Sequence, residues 1–275
     1  MFLRHSMLAA GLILAIVPLA HANQASPVLD MDATGEVQIA PDGHVSDYRL
    51  QSQLAPEIAT LVDRNVRAWQ FKPIVINGAA VTAKTAMHIR LNAEPQEGRD
   101  SYLVRVVSID FGEPRRNAQM KAPRYPEEAV KARLGAKVLL SLRLDDTGKV
   151  IDVQPYQTSL DARARNEFQA QEWRKLFERA SVAAAKNWHY DLTETINGKP
   201  IGTNAIVPIV YNIVESGQPK SDAWKAFVPG PVHPAPWATP DRLSSAHDFS
   251  KLADGQALSL DSRFQLKEDV VGKTL

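Results

Sequence analysis

Apolar and polar residues along this chain follow one order of patterns, and the order occurs twice. In the first pass Val37 and Ile39 alternate with Glu36, Gln38 and Ala40, the period of a half-buried strand. Pro41-Asp42-Gly43 is a turn, because glycine supplies positive φ after Pro and Asp, and Val45 to Leu50 returns as the partner strand. Ile58, Leu61, Val62, Asn65 and Trp69 then fall at i, i+3, i+4, i+7 and i+11. That spacing predicts an amphipathic helix over Leu54 to Trp69, with Pro56 in the first turn, where a missing N–H costs nothing. Asn77-Gly78 marks a hairpin turn. Val81 to Leu91 reads as a long strand and Val104 to Ile109 as another.

The second pass opens on Ala122-Pro123-Arg124-Tyr125-Pro126, with Pro126 as a helix start and Glu127 and Glu128 suited to the helix dipole. Gly135 stops that helix. Lys137 to Leu144 is a strand with Val138, Leu140, Leu142 and Leu144 on one face, Asp146-Thr147-Gly148 turns the chain, and Val150 to Tyr156 pairs back. A long helix is expected from Arg163 to Trp188, with Phe168, Leu176, Phe177, Ala180, Ala184 and Trp188 facing inward. Asn197-Gly198 repeats the hairpin turn, and Val207 to Ile213 is a closing strand.

A phrase inside these passes is repeated almost word for word. Trp69-Gln70-Phe71 precedes Asn77-Gly78, and Trp188-His189-Tyr190 precedes Asn197-Gly198; Gly43-x-Val45-x-Asp47 matches Gly148-x-Val150-x-Asp152. Gly43 to Trp69 is 26 residues and Gly148 to Trp188 is 40, so the second copy carries 14 more, mainly in its helix. Such self-similarity predicts two related α+β units in tandem, at 23–112 and 113–215, each a small antiparallel sheet packed by one or two helices. Residues 216–275 form a proline-rich tail that either hangs free or docks. Trp224, Phe227 and Trp237 favour docking, and the alternation from Ala257 to Leu266 suggests a strand.

The first 22 residues are of another kind. Arg4 precedes an apolar run from Met7 to Ala20, and Ala20-His21-Ala22 is a small-residue cleavage pattern. Together they read as a Sec-type signal peptide cut after Ala22, since the run is shorter than the roughly 20 residues that span a bilayer comfortably. The bland alternative is an uncleaved signal anchor, and membrane contact follows only from that alternative. Without Arg4 the 32 Lys+Arg become 31 against 31 Asp+Glu, so no basic excess points to nucleic acid. The absence of cysteine fits export and excludes disulfides and thiolate metal sites.

Chemistry-bearing patterns are sparse. The histidines beyond the leader, His44, His88, His189, His233 and His247, lack metal-ligand spacing, so no metal or other cofactor is expected. Asp145-Asp146-Thr147-Gly148 lacks the further ligands of a calcium loop and reads as a turn. No phosphate loop and no nucleophile elbow occurs. Trp69 and Trp188 are expected in the core, and Tyr125 either marks a groove or packs beside Pro126.

Pro123-x-Tyr125-Pro126-x-x-Ala129, the strand pair around Asp146-x-Gly148-x-Val150-x-Asp152, Trp188-x-Tyr190, Asn197-Gly198-Lys199-Pro200 and the closing strand resemble, as an ordered set, the TonB C-terminal domain family. The first unit is similar to the same family without the opening Tyr-Pro helix. The resemblance implies a non-enzymatic periplasmic binding or adaptor protein of a Gram-negative envelope. Its implied partner is an envelope protein, with an outer-membrane transporter segment as the candidate, engaged by strand addition. The implied binding residues are Val207, Ile209, Tyr211 and Ile213 on the closing strand, with Tyr125 and Pro126 beside it. Pro208 lies within that strand and removes one donor from whatever pairs there. An alternative is an anchored energy transducer; an envelope enzyme has no residue constellation behind it. His5 and His21 only flank the apolar run, whereas the family's transducers carry a histidine inside it, and they also carry a long periplasmic rod. Exposed edge strands would also allow dimerisation.

Overall fold

Strand alternation and the two hairpin turns build a first antiparallel sheet. In the computed structural model, which describes residues 29–96, 101–213, 227–238, 249 and 252–275, β1 (Leu29–Ile39) turns at Gly43 into β2 (Val45–Leu50). Helix α1 (Pro56–Ala68) follows, then the short hairpin β3 (Val75–Ile76) and β4 (Ala79–Ala80), and the long strands β5 (Ala83–Pro95) and β6 (Tyr102–Phe111). β5 pairs along the full length of β1 on one side and with β6 on the other. The expected leader lies outside the described residues.

The second half builds another antiparallel sheet. After β7 (Arg115–Arg116) come α2 (Glu127–Lys131), β8 (Ala136–Leu144), β9 (Val150–Leu160) and α3 (Glu167–Ala185). Then follow β10 (Tyr190–Asp191), the hairpin β11 (Thr195–Ile196) and β12 (Lys199–Pro200), β13 (Asn204–Tyr211), and from the tail β14 (Leu258–Ser259). β8 lies between β9 and β13, and β14 lies outside β13. The whole is a mixed α/β fold of antiparallel sheets and few helices.

Each sheet has its own core. Val37, Ile39, Val62, Val66, Phe71, Ile89 and Leu91 are buried in the first, and Val138, Leu140, Leu142, Phe177, Trp188 and Tyr190 in the second. The two are tied together: β11 adds to the lower edge of β5 through Thr195–Lys84 and Ile196–Ala83, and Ile196 is buried in the first core. Both predicted core tryptophans are buried, and Trp188 Nε1 donates to the Lys121 carbonyl at 2.9 Å.

Two helix faces differ from their expected registers. On α1 the buried positions are Val62 and Val66, while Asn65 turns back to donate to the Leu61 carbonyl. On α3 the buried stripe is Ala170, Arg174, Phe177, Ser181 and Ala185, and Phe168 is 74% exposed. The stripe contains an arginine and a serine, each with a polar partner: Arg174 Nη1 donates to Glu167 at 2.7 Å, and Ser181 Oγ hydrogen-bonds Tyr211 Oη at 2.8 Å. A reading that follows apolar residues alone slides off that face.

The repeated phrase takes one geometry twice. Gly43 and Gly148 both have φ of 90°, and their carbonyls accept the N–H of Phe71 and Tyr190 respectively, each at 2.8 Å. The backbone two residues after each tryptophan passes so close that a Cβ on either glycine would overlap the carbonyl oxygen of Phe71 or Tyr190. Asn77 and Asn197, at φ of 50° and 49°, precede Gly78 and Gly198 at 81° and 77°, the backbone that two-residue hairpins require. Gly78, unlike Gly148, has open space where a Cβ would sit. Gly78→Ala should therefore cost ~1–2 kcal/mol, the left-handed backbone penalty alone. Gly148→Ala should cost more than ~4 kcal/mol, because backbone must also move. Urea unfolding of the two variants checks this; equal losses would show that the close approach is not what Gly148 is for.

Candidate functional site

β13 is the strand on which the expected binding residues lie, and its sequence is apolar on both faces. Ala205, Val207, Ile209 and Tyr211 point into the second core under α3. Ile206 points the other way, into a third cluster with Leu139, Tyr156, Ala235, Ala238, Phe249, Leu258 and Leu260. A strand buried on both faces loses the clean alternation of a surface strand.

Its inner edge is paired with β8 from Asn204–Arg143 to Tyr211–Ala136. Its outer edge is occupied by the tail. Leu260 N donates to the Asn204 carbonyl at 2.7 Å, Ile206 pairs with Leu258, and Gly255 N donates to the Pro208 carbonyl at 2.8 Å. Two aspartates close the ends of this row. Asp254 Oδ1 accepts from Val210 N at 2.8 Å, and Asp261 Oδ1 accepts from Asn204 N at 2.8 Å. Residues 204, 206, 208 and 210 thus turn their backbone outward. Pro208 sits at an outward position, so its missing N–H takes nothing from the β8 ladder.

The same tail segment is held at a junction with the first sheet. Glu194, between β10 and β11, is 4% exposed, and its Oε1 accepts from Ser262 Oγ of the tail and from Thr85 Oγ1 of β5 at 3.4 Å. Burial pushes this carboxyl above the usual glutamate value, against the opposing pull of those hydroxyls. Nearby, His88 lies between two carboxylates, with Nε2 2.9 Å from Asp32 and Nδ1 3.1 Å from Glu113. Glu113 above all, then Asp32, pushes its pKa up to about 9 against the effect of burial, so the imidazole is charged at neutral pH. Glu113 Oε1 also accepts from Gln256 Nε2 of the tail at 3.4 Å.

The expected site residues divide. Val207, Ile209 and Tyr211 are 0%, 6% and 4% exposed, so their side chains are core groups. They face α3 because the odd positions of β13 turn inward. Tyr125 packs edge-on against Tyr211 with centroids 5.3 Å apart and donates to the Leu134 carbonyl at 2.6 Å. Burial pushes its phenol up to about 12. Pro126 caps α2, and Ile213, past the end of the strand, is 41% exposed. Tyr125, Ile209 and Tyr211 do converge, on a pocket of about 160 Å³ that Asp254 and Gly255 also border. Asp254, Asp261 and Glu194 were missed; the alternating Leu258 and Leu260 were the one sign of the tail strand. The Asp145 carboxylate is consumed by its turn, accepting from Thr147 N and Oγ1 and from Lys149 N.

With this geometry in place, the comparison with known families is specific. Residues 121–213 match the Gram-negative bacterial TonB protein C-terminal family. The match begins at the segment that carries Trp188's acceptor and ends two residues past β13, about a third of the chain. No curated protein and no solved structure matches. The TonB family is a non-enzymatic binding and energy-transduction family that works in the periplasm and contacts outer-membrane transporters. In this chain the TonB-matching segment supplies β8, β9, β13, α2 and α3, and the strand that covers its outer edge comes from beyond the match. Among the described residues, no helix is long and apolar enough to cross a membrane.

Glu194 gives a pH test of the junction. Its folded pKa is raised, so the folded protein binds this proton more tightly than the unfolded chain. Stability contributed by the group therefore falls as pH rises from the ordinary value of 4.5 through the elevated folded value, and stays low above it. Glu194→Gln should be more stable than wild type at pH 8, with the advantage shrinking toward pH 4. Chemical denaturation across that range checks it, and an advantage that grows on acidification would contradict the assignment.

Proposed function

We propose that this chain is a non-enzymatic adaptor of the Gram-negative envelope whose β13 edge receives an extended segment of a partner protein, with an outer-membrane transporter as the partner class. The observation that carries the reading is that β13 already holds an added strand, supplied by residues 254–261 of the same chain. A strand edge offers backbone donors and acceptors at fixed spacing, so main-chain pairing gives affinity and the flanking pockets give choice. The match of residues 121–213 to a family that contacts such transporters supports the partner class.

The periplasmic location rests on the family and on the leader read at residues 1–22. The reading also takes the chain as two tandem units of this kind, at 23–112 and 113–215. The shared glycine geometry of Gly43 and Gly148 and the paired Asn-Gly turns support the kinship of the first unit to the second.

The reading is tested by placing a photo-crosslinking amino acid at Val210, an outward-facing edge position, and irradiating intact cells. An adduct with an outer-membrane transporter is expected at Val210 and not at Ile151, an exposed residue on β9. No adduct at Val210, or equal adducts at both positions, would overturn it.

A further inference from the structure

The outer edges of the two equivalent strands, β5 and β13, are both covered, but in different ways. β5 is covered by β6, which follows it in sequence and pairs with it from Met87–Phe111 to Pro95–Tyr102. β13 is covered by a segment that arrives 47 residues after the strand ends, at Leu258, and pairs in register only at Ala205–Ser259 and Ile206–Leu258. The rest of the hold is the Leu260–Asn204 and Gly255–Pro208 backbone bonds, the Asp254 and Asp261 carboxylates, the Ser259–Thr203 hydroxyl pair, and the buried side chains of Ala257, Leu258 and Leu260. The first cover is a hairpin built into the sheet. The second pairs in register over two positions only, and lies outside the family match.

Resting on the adaptor reading, we propose that residues 254–261 are a resident copy of the partner strand: an autoinhibitory strap that a partner's extended segment displaces from β13. The strap can leave without the tail detaching. Upstream, Val228 exchanges two hydrogen bonds with Leu160 and His233 N donates to the Tyr156 carbonyl, which fixes the tail to the outer edge of β9. Downstream, Phe264 is buried in the first core, Gln265 and Lys267 bond the Gln70–Lys72 backbone, and Gly272 to Leu275 bond β6 at Val104 and Val106. The strap, residues 254–261, lies between these two anchors. A tethered competitor acts at an effective concentration in the millimolar range, so weakly pairing segments are excluded.

The strap also states the chemistry of the strand it stands in for. Two apolar side chains separated by one residue, Leu258 and Leu260, fill the cluster of Leu139, Tyr156 and Ile206. Carboxylates seven positions apart, Asp254 and Asp261, cap the Val210 and Asn204 amides. Opposite Pro208 only a donor is used, that of Gly255, at φ of 76°. The partner segment is therefore extended, apolar at alternate central positions, acidic at both ends, and small or turned opposite Pro208.

The test is strand exchange with a fluorescein-labelled synthetic peptide of residues 252–263, read by anisotropy on the full-length protein. Three forms are compared: wild type; the opened variant Asp254→Ala/Asp261→Ala, altered only on the strap; and Ala205→Cys/Ser259→Cys, oxidised to tie the strap to its register partner. The chain has no other cysteine. The apparent affinity of an occupied site is reduced by the fraction of time it is free. The opened variant should thus bind the peptide at least tenfold more tightly than wild type, the oxidised form should not bind, and reduction should restore binding. A peptide with Leu258→Pro should bind none of them. Equal binding to the oxidised and reduced forms, or no gain in the opened variant, would overturn the proposal. If circular dichroism shows the opened variant unfolded, the oxidised–reduced comparison decides by itself. The adaptor reading fails separately: peptide exchange that obeys these rules, with no transporter adduct at Val210 in cells, would leave the strap standing without that partner.

Discussion

A sheet edge is a row of backbone donors and acceptors that must be paired, covered or left to water. In this chain the C-terminal residues answer that constraint on three edges. They bond the outer side of β9 near Leu160, the outer side of β13 from Asn204 to Val210, and the outer side of β6 at Val104 and Val106. Side chains follow the backbone: Leu258 and Leu260 cover one face of the second sheet and Phe264 enters the first core. What the sheets lack, a segment with little periodic pattern of its own supplies.

The joints between these parts are polar, and that shapes how they can move. Glu194 meets the tail at Ser262 and the first sheet at Thr85, while Glu113 meets His88 on one side and Gln256 on the other. Buried groups such as the Glu194 carboxylate contribute modestly as long as every partner is present, and become costly when one is removed. They fix where the tail crosses from the second sheet to the first. Phe264 holds the downstream end of the strap in the first core, while the strap itself pairs in register with β13 at two positions only, beside the buried Leu258 and Leu260.

Local pattern carried much of this fold. The hairpins at Gly43 and Gly148, the Asn-Gly turns, the buried Trp69 and Trp188 and the TonB-like order of elements were all legible, because each is set by residues within a few positions of one another. The stripe of α3 was misread because Arg174 and Ser181 lie in it, and a buried polar residue is visible only through partners distant in sequence, here Tyr211 for the serine. The sequence placed Val207, Ile209 and Tyr211 on the closing strand but not in the core, for a related reason. Strand identity was plain, but which face meets α3 and what lies beyond the edge depend on a strand 47 residues further on. Leu258 and Leu260 hinted at that strand, and nothing local could say which edge it would join.

The central claim is that β13 carries its own chain as an added strand and that this strand is the first to leave. Amide hydrogen exchange of the intact protein, resolved for residues 252–263 and for β8, measures both parts directly. The Gly255 and Leu260 amides should be protected relative to a free peptide and should exchange through an opening that leaves the β8 amides protected. Exchange of the strap at free-peptide rates would mean that it does not occupy the edge, and exchange only in step with β8 would mean that it cannot leave the sheet.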